Sequence, residues 1–244
     1  MKKVRAPKVP SLQHLARAWD PNPDRIRRTL MALALNGPTF SYQIIYELIG
    51  DLMLSKIPYS QVENAIKTRV RQESVRSNFL ELLPLVRDQL SGISPAFIHR
   101  VAPRYYPIGR GLAVPFAPPF IYGLNGDIHL PWFSFWKSNP LDGKRLSLFI
   151  TIIDEVLMQD PDLDQSFVTI LDFSAAESGG ARQISVIPAR DIPRLCRSEL
   201  SAMLSTFVQG YEAACVALQD VESLRDGMKG GDEPFDDDQL NLFE

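Results

Sequence analysis

Two cysteines and three histidines among 244 residues leave little material for metal or redox chemistry. Cys196 and Cys215 make no CxxC pair and the histidines do not cluster, which argues against a disulfide framework or a zinc site. No stretch approaches eighteen uninterrupted apolar residues, so hydropathy gives no membrane span. The opening Met1-Lys2-Lys3-Val4-Arg5-Ala6-Pro7-Lys8 lacks the apolar run of a secretory signal, and a cytoplasmic protein without a membrane partner is the expectation. GxGxxG is absent, and neither Gly109-Arg110-Gly111 nor Ser178-Gly179-Gly180 is followed by the Lys-Ser or Lys-Thr of a phosphate-binding loop. No serine or cysteine has a recognisable nucleophile context. The sequence therefore assigns no catalytic residue, no metal site and no cofactor, and leans away from an enzyme.

What the chain does have is 45% hydrophobic content, enough for a sizeable core in one large or two small domains. Its formal net charge of -3 hides a division between the halves. Residues 1–110 carry 17 Lys and Arg against 8 Asp and Glu, and the remainder carries 9 against 21. Such asymmetry points to a polyanionic partner. The positive charge is concentrated in an N-terminal arm with Lys2, Lys3, Arg5 and Lys8, in Arg25, Arg27 and Arg28, and in Lys67, Arg69, Arg71 and Arg76. Arg25, Arg27, Arg28, Lys67, Arg69 and Arg71 are the candidate DNA-binding residues.

Pattern along the chain gives an α+β fold: a helical N-terminal region, then a small, mainly antiparallel sheet packed with two helices. The expected divisions are a basic arm at 1–10, a helical region at 11–100, an α+β domain at 101–219 and an acidic tail at 220–244. Asn22 followed by Pro23 starts a helix ending near Gly37-Pro38. Ser60 caps another that runs to Arg71. It would present Gln61, Asn64, Lys67 and Arg71 along one side, as the recognition helix of a helix-turn-helix does. Pro84 should kink or break the helix that follows. Asn125-Gly126, flanked by apolar alternation, predicts a hairpin with a type I′ turn. Helices over 144–159 and 199–218 bracket two strands, Phe167–Phe173 and Arg182–Ile187, expected to pair antiparallel.

The tail combines a stretch too polar and too charged to fold, from Lys229 to Asp238, with the terminal peptide Gln239-Leu240-Asn241-Leu242-Phe243-Glu244. Large apolar side chains at an acidic end suggest a partner pocket. Gln239-Leu240-Asn241-Leu242-Phe243 resembles the motif by which bacterial replication and repair proteins bind the DNA sliding clamp. The resemblance covers these five residues. It implies that Gln239 makes polar contacts at the rim of the clamp's cleft and that Leu240, Leu242 and Phe243 fill it. The function expected is an accessory of DNA metabolism, in replication, repair or a mobile element, with the sliding clamp and DNA as partners.

Two other readings are open at this stage. The order of elements from the hairpin onward resembles the cores of restriction-type and RecB-like nucleases, in which an Asp on one strand and a Glu-x-Lys or Asp-x-Lys on the next hold a divalent cation and support the attacking water. Asp172 would be the first carboxylate. The strand beginning at Arg182 lacks the second carboxylate and the Lys, so the resemblance implies a divergent or inactive, metal-dependent nuclease-like protein. Asp127 and His129 alternate onto one strand face and form a weaker metal pair. The third reading is a helix-turn-helix regulator.

Overall fold

The computed structural model describes residues 8–36, 42–54, 57–138, 141–177 and 180–229. Five helices come first: α1 (Leu12–Ala18), α2 (Pro23–Asn36), α3 (Gln43–Met53), α4 (Tyr59–Arg69) and α5 (Glu73–Leu90). The strands β1 (Phe97–His99), β2 (Arg104–Gly109), β3 (Leu112–Phe116), β4 (Ile121–Leu124) and β5 (Asp127–Ser134) follow. Then come α6 (Gly143–Leu157), β6 (Phe167–Asp172), β7 (Ser185–Pro188), a 3-10 turn at Ala189–Asp191 and α7 (Arg197–Lys229). The α+β class holds, with helices leading.

Local chemistry explains several boundaries. At the start of α2 the Asn22 side chain accepts a hydrogen bond from the Asp24 backbone N–H at 2.9 Å, and Pro23 occupies the first helical position, where no donor is needed. Asn125 and Gly126 have φ of 55° and 93°, the pair of positive values that a type I′ turn needs, and they join β4 to β5. A second hairpin, β2–β3, turns through Gly109, Arg110 and Gly111, all at positive φ.

The main sheet runs β1-β4-β5-β6-β7. β4 is antiparallel to β1 and β5, β7 is antiparallel to β6, and β5 and β6 are parallel with α6 as the crossover between them. The sheet is therefore mainly antiparallel, as expected, with one parallel pair where the crossover helix returns the chain in the same direction. Alternation along the strands sorts its two faces. Leu130, Trp132, Val168 and Ile170 belong to the core made with α1, α2, α6, α7 and the β2–β3 hairpin. Phe133, Phe135, Leu171 and Phe173 belong to the core made with α3, α4 and α5. Helices cover both faces, so more than the two expected ones pack on the sheet. The N-terminal helices divide between the two layers instead of gathering on one side.

Four expectations need adjustment. Pro84 lies inside a continuous α5, with its ring on the exposed side. α4 begins at Tyr59 with Pro58 at the cap position, so Ser60 sits in the first turn, and Arg71 lies beyond the helix. α7 continues to Lys229, through ten residues read as tail from their acidity: Leu, Glu, Arg and Met in that span are good helix formers. β7 starts at Ser185; Arg182 forms only an isolated antiparallel bridge with Ala175, and its side chain is buried under the sheet's end. Its Nη1 donates to the carbonyls of Phe135, Trp136 and Phe173 at 3.1 to 3.2 Å, Nη2 bonds Asn78, and Nε lies 3.4 Å from Glu81. One guanidinium thus ties α5 to the C-terminal ends of the parallel strands.

Candidate nucleic-acid interface

α1 and α2 meet at an acute turn, Asp20-Pro21-Asn22, closed by the Asp20 carboxylate accepting the Asn22 N–H at 2.8 Å. The turn places the last residues of α1 beside the first turns of α2, and α6 packs against α1. Arg145 of α6 donates from Nε to the Trp19 carbonyl at 2.9 Å, which fixes the α6 guanidinium at the α1–α2 junction. Between these elements lies an open pocket of about 320 Å3, lined by Arg17, Ala18, Asp20, Arg25, Arg28, Thr29 and Arg145. Four guanidinium groups face one carboxylate.

Each arginine is steadied by a contact that leaves donors over. Arg17 lies over the Trp136 ring, 5.1 Å from its centroid, a cation–π arrangement that orients the guanidinium without using an N–H. Arg28 reaches the Asp24 carbonyl through Nε at 3.4 Å, and Arg145 is likewise held through Nε. Arg25 is paired with Asp20 only loosely, at 3.5 Å, with its side chain 67% exposed. A guanidinium presents five N–H donors in a planar fork, so four of them around a concave surface match an oxyanion far better than a neutral or cationic ligand. Behind Arg17, the His14 ring packs edge-on against Trp136 with centroids 5.9 Å apart. Burial, helped by the neighbouring Arg17 charge, lowers the His14 pKa from its ordinary 6.5. It is the neutral ring that the site accommodates.

The sequence-derived candidates fare unequally. Arg25 and Arg28 line the pocket, whereas Arg27 turns along its helix to pair with Asp24 at 3.3 Å and to touch the Met31 sulfur at 3.6 Å. Lys67 and Arg69 are exposed at the end of α4 and Arg71 just past it, in the layer on the other side of the sheet. Lys67 is paired with Glu63. The two basic clusters therefore do not form one patch on a single helical layer. Arg17 and Arg145 were missed because neither belongs to a basic run; only the fold brings them together. Gln239, Leu240, Leu242 and Phe243 lie outside the described residues.

Asp172 is 5% exposed and accepts a 2.8 Å hydrogen bond from Ser174, next to Ser134 on the parallel strand. Its carboxylate is walled in among packed strands. His129 stacks between Tyr122 and Phe167, with centroids at 5.0 and 5.4 Å, so its ring is a packing element while Asp127 is exposed. Among the described residues no group of three or more His, Cys, Asp or Glu is arranged to hold a metal ion. Nor is any helix among them long and apolar enough to cross a membrane.

No protein-family model matches the chain, and no curated protein matches it.

Proposed function

We propose that this protein is an accessory of bacterial DNA metabolism that contacts nucleic-acid phosphates through the arginine pocket and is recruited to the DNA sliding clamp by its C-terminal peptide. The observation that carries the nucleic-acid part is the meeting of Arg17, Arg25, Arg28 and Arg145 from three helices around one concavity, with Asp20 the acidic residue among the described lining. Separated arginines on a helix surface are ordinary solvated charge. Arginines delivered to one point by α1, α2 and α6 are oriented donors, and phosphate is the anion whose geometry suits them.

The clamp part rests on Gln239-Leu240-Asn241-Leu242-Phe243. A peptide contact and a phosphate contact that engage together gain avidity that neither has alone, because the second becomes intramolecular. The strongly acidic residues before the peptide keep it off phosphates and available for a protein cleft. No catalytic step is needed, and the walled-in Asp172 gives the nuclease reading no open metal site to work with.

Fluorescence anisotropy with a labelled oligonucleotide at several salt concentrations tests the nucleic-acid part. Binding should weaken with salt. Replacing Arg25 and Arg28 by Ala should weaken it further and lower the slope of log affinity against log salt by roughly one to two, about one for each phosphate no longer neutralised. A slope unchanged by the double substitution would place the interface elsewhere.

A further inference from the structure

The pocket's shape and charge support a more specific ligand than DNA backbone at large. Its four guanidiniums and one carboxylate leave a net formal charge of +3 around an open depression of about 320 Å3. That volume lies at the lower end of the range for small-molecule sites, about 300–1,000 Å3, enough for about one nucleotide but not for a run of them. An internal phosphodiester brings one negative charge and two flanking sugars, and entering a concavity would bend the strand away on both sides. A terminal phosphate monoester brings about -1.5 to -2 charge at neutral pH and three acceptor oxygens on one atom, and it enters alone. Several arginines can share those oxygens in the two-pronged geometry that guanidinium prefers.

Resting on the reading that this face contacts nucleic acid, we infer that the pocket formed by Arg17, Arg25, Arg28 and Arg145 receives a phosphate monoester, the terminal phosphate of a nucleic-acid strand. The opening of the pocket suits such an end: Arg25 and Arg28 on α2 and Arg17, laid over Trp136, stand exposed, while Arg145 is half-buried and held on the Trp19 carbonyl. The exposed arginines would meet the incoming end first, and Arg145 would orient it. Asp20, the one carboxylate of the lining, is loosely paired with Arg25 and gives up that partner when a phosphate arrives. The ends of strands occur at nicks, gaps and primer junctions, which is where a clamp-recruited protein would find them.

Equilibrium binding of the full chain to short single strands of one sequence tests this, comparing a 5′-phosphate, a 3′-phosphate and no terminal phosphate, with inorganic phosphate and a 5′-mononucleotide as competitors. The inference predicts about tenfold or greater preference for a strand with a terminal phosphate. The preference should vanish in Arg25→Ala/Arg28→Ala and be partly kept in Arg25→Lys/Arg28→Lys, both checked for an unchanged melting temperature. A mononucleotide that binds as tightly as the phosphorylated strand also supports the monoester, and assigns it to a free nucleotide. Equal affinity for phosphorylated and unphosphorylated strands, each weakened by the Ala pair, would overturn the inference and leave nucleic-acid binding standing. Absence of binding to any strand would overturn both.

Discussion

Gly210 of α7 is the position where a single methyl group tests the architecture that builds the pocket. A Cβ placed there would lie 2.7 Å from Ile26 Cβ, 2.8 Å from Ile26 Cγ2 and 2.8 Å from the Pro23 carbonyl oxygen. Ordinary carbon contacts sit near 3.5 to 4.0 Å, so α2 and α7 would have to separate by roughly 1 Å along a shared face. Rotation of a flexible side chain cannot relieve the clash, because Ile26 is branched at the offending atom and fully buried, and the third neighbour is backbone. Overpacking of this kind costs about 1–3 kcal/mol, and the rigidity here favours the upper end. Ala gains about 1 kcal/mol over Gly in a helix, which offsets part of it. Gly210→Ala should therefore destabilise the protein by about 2 kcal/mol and lower the melting temperature by about 4–8 °C for a chain of this size. Urea and thermal unfolding measure both. Because α2 carries Arg25 and Arg28 in the turns beside Pro23 and Ile26, oligonucleotide affinity should fall in folded Gly210→Ala as well. A neutral or stabilising outcome, as helix propensity alone would give, refutes the close packing of α2 on α7.

Arg182→Met should cost about 3 kcal/mol in urea unfolding, since three strand-end carbonyls and the Asn78 side chain lose their shared donor and Glu81 its ion-pair partner, in a site where the Arg182 side chain is 3% exposed; a loss under about 1 kcal/mol would contradict its role as the tie between α5 and the sheet. The lowered His14 pKa gives a pH dependence with a definite sign. The unfolded chain takes up a proton at His14 below its ordinary 6.5 that the folded chain resists, so stability should decline as pH falls from about 7 to 5. His14→Gln should flatten that slope, and a slope of equal steepness in the variant would show that other groups cause it.

Local signals in the chain were legible where the chemistry is local. Asn125-Gly126 gave its hairpin, Asn22-Pro23 gave the start of α2, and the apolar β-forming run Phe167–Phe173 gave a strand paired antiparallel with the next. What could not be read were non-local choices. The parallel pairing of β5 with β6 depends on which way α6 crosses the sheet, and nothing in either strand alone encodes it. Arg182 looked like the first residue of a strand because its neighbours are β-formers, yet the carbonyls it serves are brought together only in the fold. The candidate site shows the same division. Arg25 and Arg28 stood out as a run, while Arg17 and Arg145 were invisible as a pair until α1 and α6 met at Trp19. Acidity between 220 and 229 suggested tail, and helix propensity prevailed.

Recruitment to the sliding clamp, proposed above, is tested most directly by the affinity of the full chain for a purified bacterial clamp, beside Leu242→Ala/Phe243→Ala. Micromolar or tighter binding is expected, abolished by the double substitution at an unchanged melting temperature, with a fluorescent peptide spanning Asp236 to Glu244 reproducing most of the affinity. Absence of binding by the intact chain, or binding that the substitution leaves untouched, would contradict it.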